Sequence, residues 1–256
     1  MVASLIGIGF LLLILFLGAP LGFAMMAVGF VGYGLIRGWE PALGMISQQI
    51  LDLAFNFGFS VLPLFIVMGV FVARSGMAED LYDACYKWLG HFRGGLAMAS
   101  VMACMLFAAL SGSSPATVVA IGTIAIAGMQ KVGYSKDFSA GIIANAGTLG
   151  ILIPPSIVMV VYSAATDVSV GRMFLAGVVP GLLAGLMLML AIYVVARVKN
   201  LPAEEWKGFG EILRHGKTAG WGLFLIVIIL GGIYGGVFTP TEAAAVAAVY
   251  AWFVAL

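Results

Sequence analysis

Two interruptions in otherwise uncharged, apolar sequence gather the oxygen atoms best suited to chemistry in this chain. The first, Ser111-Gly112-Ser113-Ser114-Pro115, lies within Gly94 to Gln130; the second, from Gly147-Thr148-Leu149-Gly150 to Pro154-Pro155, lies within Phe138 to Thr166. A helix ending near Leu110-Ser111 directs carbonyls, the negative end of its dipole, toward the first break. A helix opening at Ser114-Pro115, with Pro115 suited to its first position, directs free N–H groups to the same place. One end invites a cation and the other an anion. The same polarity recurs where Asn145 to Thr148 close a helix and Pro155-Ser156 open another.

Ser111, Ser113, Asn145, Thr148 and neighbouring carbonyls are neutral oxygens, which suit a hard cation. Gly147 leaves room for backbone to approach an ion, while Pro154-Pro155 keeps the helix from continuing. Neither uncharged stretch holds Asp, Glu, His, Lys or Arg, so sodium coupling is preferred to a proton relay. The competing account is close helix packing, which explains any single Gly, Ser or Thr better than ligation does. Two breaks of the same polarity favour a site.

Enzyme chemistry has little support. Ser113 and Ser114 have no histidine in their own segments, since His91 and His215 fall in polar connections, and neither an HExxH motif nor a membrane aspartate pair occurs. Cys85 and Cys104 lack metal-ligand or redox spacing and read as free thiols. No cofactor and no nucleic-acid partner is expected.

The elements that hold these residues must lie in lipid. Of 256 residues, 63% are apolar and only 9% charged, and the mean hydropathy is +1.15, whereas a soluble domain carries about 25% charged residues. A crossing needs about 20 helical residues. Ser4 to Phe16 and Leu21 to Leu35, separated by Gly18-Ala19-Pro20, are expected as two helices, the first an uncleaved span. Pro41 to Phe57, with Gln48, Gln49, Asp52 and Asn56, reads as an interfacial helix, and Ala54 to Ala73 as a crossing. Met77 to Arg93 is amphipathic and is expected along a membrane surface. Each arm of Gly94 to Gln130 has about 15 residues, roughly 22 Å of helix, too short to cross. With only Gly, Pro and hydroxyls at its turn, this segment is expected to be a re-entrant hairpin.

Phe138 to Thr166 is expected to be a broken span and Val170 to Ala196 a crossing, followed by a polar connection from Arg197 to Lys217. Trp221 to Val237 and Thr241 to Leu256 are the last apolar segments, the final one stopping in mid-pattern. This count places Arg74, Lys87, Arg93, Lys131, Lys136, Arg197, Lys199, Lys207, Arg214 and Lys217 on one side, against Arg37 and Arg172. The crowded side is then cytoplasmic and the N-terminus outside. Proline breaks at Gly18-Ala19-Pro20 and Phe238-Thr239-Pro240 stand an odd number of crossings apart, as in an inverted repeat. Chance similarity of two Ala-rich helix starts explains those residues equally well. A capping box at Thr239-Pro240-Thr241-Glu242 also accounts for the second start.

Four ordered motifs carry a resemblance: Leu89-Gly90-His91-Phe92-Arg93-Gly94-Gly95-Leu96-Ala97, Leu110 to Thr117, Gly147 to Ile157, and Leu175-Ala176-Gly177-Val178-Val179-Pro180-Gly181, with Gly231 to Ala245 as a fifth match. The chain resembles the large membrane (M) subunit of tripartite ATP-independent periplasmic (TRAP) transporters over essentially its whole length. The resemblance implies an all-α polytopic membrane protein with an inverted-repeat elevator-type fold. It divides the chain into scaffold helices 1–75, an interfacial arm helix 76–93, a re-entrant hairpin 94–133, a broken transmembrane helix 134–167, a transmembrane helix 168–197, a cytoplasmic connection 198–218 and the incomplete start of repeat two, 219–256.

It further implies sodium-driven import of a small organic anion, carboxylate or sialic-acid type, across the bacterial inner membrane, with a periplasmic substrate-binding (P) protein and a small membrane (Q) subunit as partners. Sodium would meet Ser111, Gly112, Ser113, Asn145, Gly147 and Thr148. The substrate would meet Ser114, Pro115, Thr117, Pro154, Pro155 and Ser156. A stand-alone sodium/dicarboxylate carrier and a non-transporting membrane scaffold are the alternatives. By this resemblance the polypeptide is expected to be a fragment lacking the second hairpin and second broken helix.

Overall fold

A computed structural model of the chain describes residues 2–203, 206 and 208–256. Among these, every regular element is helical. The cationic Lys207 lies outside the described residues. The chain forms two units, residues 1–57 and 58–256.

In the first unit, α1 (Val2–Phe16) and α2 (Leu21–Arg37) are separated at Pro20, which precedes α2, and α3 (Trp39–Phe55) follows after Gly38. Gly38, at φ 98°, makes the corner, and Trp39 packs so closely on Gly34 that a methyl group there would meet its ring at 2.6 Å. The break at 18–20 is thus a complete helix boundary, as its glycine and proline require.

The second unit is built around α6 (Gly95–Ser111), in which every residue except Met102 and Leu106 is buried. Such a helix, apolar all round, forms only with partners on every side. They are α4 (Val61–Arg74), α5 (Met77–Leu89), α7 (Ser114–Lys131), α8 (Lys136–Thr148) and α10 (Val170–Val198), together with the short 3₁₀ turn Leu149–Ile151. Between that turn and α10 runs α9 (Ile157–Thr166).

A 3₁₀ turn, Phe57–Ser60, leads into α4, so the apolar helix runs Phe57–Arg74. It and Val170–Val198 are the two single helices among the described residues long and apolar enough to cross a membrane. The segment 209–234 is a bent pair that meets the same test together. It comprises α11 (Phe209–Thr218), then α12 (Gly220–Ile226), a π turn at Val227–Gly231 and α13 (Gly232–Tyr234), with a 62° bend between Phe209–Thr218 and Gly220–Tyr234. The polar connection expected from Arg197 to Lys217 therefore contains an ordered helix, α11, whose inner side packs on α5. Its charged residues concealed it in the sequence.

The last helix, α14 (Pro240–Val254), begins with the expected capping box. Thr239 Oγ1 accepts from Glu242 N–H at 3.3 Å, and Glu242 Oε2 accepts from Thr239 N–H at 2.8 Å. Its alanines Ala243, Ala244, Ala247, Ala248 and Ala251 are buried, and α14 lies along α4, whose Val61, Phe65, Met68 and Val72 are buried too. Small residues on one helix let the backbones approach closely, the packing mode favoured in lipid.

Candidate functional site: two helix breaks meet

The first break is a tight turn between α6 and α7. Gly112 closes α6 at φ 62°, a left-handed conformation that glycine adopts without strain, and its N–H donates to Ala108 O. Ser113 is the N-cap of α7, its Oγ accepting from Ala116 N–H at 3.4 Å. The helix starts at Ser114, so Pro115 occupies the second helical position rather than the first, where its missing N–H is equally harmless. Ser111 and Thr117 are buried, and their hydroxyls lie 3.2 Å apart. Thr117 Oγ1 also donates to Ser113 O at 2.9 Å, while Ser111 Oγ accepts from Ser113 N–H at 3.4 Å. These two hydroxyls knit the turn.

At the second break α8 ends at Thr148, the 3₁₀ turn Leu149–Ile151 follows, and α9 begins at Ile157 with Ser156 as N-cap. Between them Pro154, Pro155 and Ser156 are buried in irregular chain, with a cis peptide joining the prolines.

The fold joins the two breaks directly. Ile157 N–H donates to Gly112 O at 3.1 Å. A methyl group on Gly112 would stand 3.0 Å from Pro155 O, and one on Gly150 would stand 3.0 Å from Ser114 Oγ. Gly147 lies against Val118 of α7, with no space for a Cβ. From outside, Gly69 of α4 lies under Ser111 O, where its Cβ would come within 3.3 Å. On the far side α10 presents Gly177 and Gly181 to the carbonyl of Leu152. Gly69, Gly177 and Gly181 were absent from the expected site. The spacing of four between the two α10 glycines was the available signal.

The described residues hold no cluster of three or more His, Cys, Asp or Glu that could bind a metal. Cation binding would fall to hydroxyls and carbonyls. Ser114 Oγ and Ser156 Oγ are buried and have no hydrogen-bond partner. A buried hydroxyl without a partner in the protein has its hydrogen-bonding capacity left for a ligand or water. Asn145 and Thr148 stand elsewhere: both are exposed, with Asn145 Nδ2 donating to Gly141 O at 2.8 Å and Thr148 Oγ1 to Asn145 O at 2.7 Å. Asn145 lines a cavity of about 300 Å³ between α8 and α10, beside Asp137 and Phe138. Pro115 is exposed at the tip. Of the expected residues, the structure gathers Ser111 to Ser114, Thr117, Gly147 and Pro154 to Ser156 around one junction and leaves the side chains of Asn145 and Thr148 on an exposed face.

The sequence model of the family described as "Tripartite ATP-independent periplasmic transporter, DctM component" matches residues 8–256. The chain belongs to this family. It is 63% identical over 217 residues to the C4-dicarboxylate TRAP transporter large permease protein DctM of Vibrio cholerae, covering 84% of this chain and 48% of that protein. The protein of the same description in Pseudomonas aeruginosa is 60% identical over 211 residues, 82% of this chain and 49% of that one. The sialic acid TRAP transporter large permease protein SiaM of Vibrio cholerae is 34% identical over 240 residues, 94% and 56% respectively. The chain spans about half the length of the curated DctM relatives it matches. A DctM-family chain is an all-α polytopic component of a membrane transporter and not an enzyme. The junction lies in its uncharged segments.

Proposed function

We propose that the intact protein imports a C4-dicarboxylate with sodium across the bacterial inner membrane, using the junction of the two breaks as one half of its binding site. The observation that carries this reading is the pair of buried, unpartnered hydroxyls, Ser114 Oγ and Ser156 Oγ, at helix starts locked together through Gly112 O and Ile157 N–H. Helix starts favour anions and neutral oxygens accept a hard cation, so one junction serves a carboxylate and its coupling ion. The substrate class is taken from the two DctM relatives, which share far more of this sequence than the sialic acid relative does.

In this reading the hairpin and broken helix carry ion and substrate as one body in an elevator movement. A periplasmic binding protein delivers the anion and a small membrane subunit completes the assembly. The cation-rich loops face the cytoplasm and the N-terminus the periplasm. Sodium is held by backbone and hydroxyl oxygens around Ser111 to Ser114 and by backbone carbonyls at Gly147 and Thr148, with no other cofactor.

Uptake of labelled succinate into vesicles holding the complete transporter tests the proposal. Uptake should require both an inward sodium gradient and the binding protein. Ser114→Ala and Ser156→Ala should each weaken sodium-dependent uptake about tenfold at unchanged membrane abundance, the effect of losing one buried polar contact. Uptake indifferent to sodium would overturn the coupling. Uptake without the binding protein would identify a stand-alone carrier.

A further inference from the structure

Only part of the apolar face of α11 is covered. Trp88 of α5 donates from Nε1 to Ile212 O at 3.4 Å, and Gly216 lies under the Trp88 ring. Beside that contact Phe209 and Leu213, one turn apart, are 80% and 65% exposed. Arg214 and Lys217 stand exposed along the next edge of the helix. The helix's one acid, Glu211, is turned to its own neighbours, 3.3 Å from His215 Nε2 and 3.8 Å from Arg214. An uncovered apolar row therefore lies between the α5 contact and the cations.

Position makes this pattern informative. Only Ala219 separates α11 from the apolar helix Gly220–Tyr234, and the two axes differ by 62°. If the second crosses the bilayer, the first lies well over toward the membrane plane at its surface. Trp206 and Trp221, both exposed, stand just before and just after α11, and exposed tryptophans gather at the headgroup level of a membrane. A buried protein interface is depleted in lysine, whereas a helix resting on lipid places lysine beside its apolar row and lets the long stem snorkel.

We propose that α11 is a membrane-surface anchor, with Phe209 and Leu213 entering the acyl boundary of the adjacent leaflet and Arg214 and Lys217 holding phosphates of anionic lipids. This rests on Gly220–Tyr234 being a span and is independent of the sodium and substrate assignments.

The test reads a probe rather than uptake, so it stands apart from the transport proposal. The complete transporter, with Cys85, Cys104 and any cysteine outside this chain replaced by alanine, carries a fluorophore at Leu213→Cys or, as an aqueous control, at Lys131→Cys. It is placed in vesicles of phosphatidylcholine, alone or mixed with phosphatidylglycerol. The position 213 probe should be quenched by lipids spin-labelled near the headgroup and protected from iodide, and the position 131 probe the reverse. Adding Lys217→Gln should shift the balance of shielded to exposed probe about fivefold toward exposed in phosphatidylglycerol vesicles, the worth of one cation at an anionic surface. It should leave pure phosphatidylcholine vesicles unchanged. Equal iodide quenching at 213 and 131 would overturn the proposal. So would shielding without lipid quenching, which would indicate a protein partner. Shielding that ignores phosphatidylglycerol would overturn the phosphate contacts.

Discussion

Gly147 illustrates how a single absent methyl group sets the site. It is buried in the last turn of α8, and a Cβ there would overlap Cγ2 of Val118, a branched side chain with little rotamer freedom. Sequence reasoning expected this glycine to let backbone approach an ion; the structure places Val118 of α7 against its Cα. Gly147→Ala gains helix propensity of at most about 1 kcal/mol, while overpacking costs about 1–3 kcal/mol. The variant should be less stable overall. Trimming the neighbour should remove the clash, so Gly147→Ala/Val118→Ala should be more stable than the sum of the single changes by about 1–2 kcal/mol. Thermal unfolding of the four proteins in one detergent measures that coupling. Strict additivity would mean that the two residues do not meet.

At the scale of elements, the second break is shaped by α10 as much as by its own prolines. Pro154-Pro155 explains why α8 cannot continue, but the path of the chain between the helices follows the groove along Gly177 and Gly181. The glycines of α10 are not equivalent. A Cβ at Gly177 would come within 2.6 Å of Leu152 O, a backbone atom that can move only with the break, whereas the atoms facing Gly185 belong to Met105, an adaptable side chain. Gly177→Ala should therefore cost about 1–3 kcal/mol and depress uptake, and Gly185→Ala should be nearly silent in both. Heat stability and succinate uptake of the two variants, measured side by side, decide the matter. Equal effects would show that backbone and side-chain neighbours count alike here.

For the whole molecule, the contact of α14 with α4 ties the end of the second unit to its beginning. Ala247 of α14 is fully buried, so Ala247→Leu should cost about 1–3 kcal/mol, while Val249→Leu on the exposed side of the same helix should stay within about 0.5 kcal/mol. Size-exclusion profiles after graded heating check this. Much of the architecture was legible beforehand, because uncharged stretches, proline and glycine breaks and the Thr239 capping box have direct local causes. Other features were not. The helix α11 has only ten residues, Glu211, Arg214 and Lys217 among them, and its packing partner Trp88 is far away in sequence. The oxygens of Asn145 and Thr148 have the right chemistry, but helical phase turns them to another face. The bond from Ile157 to Gly112 joins two backbones and leaves no side-chain signature at all.

That last bond has a bearing on how the protein is made. Synthesis runs from the N-terminus, so the α6–α7 turn is inserted with Gly112 O uncovered, and its partner arrives only when α9 has been translated. A buried backbone carbonyl left without its partner is costly. The α6–α7 turn is thus an unfinished object until α9 reaches it. Chains halted between α7 and α9 would lack that bond, and completion of α9 is the step at which the turn gains this backbone partner.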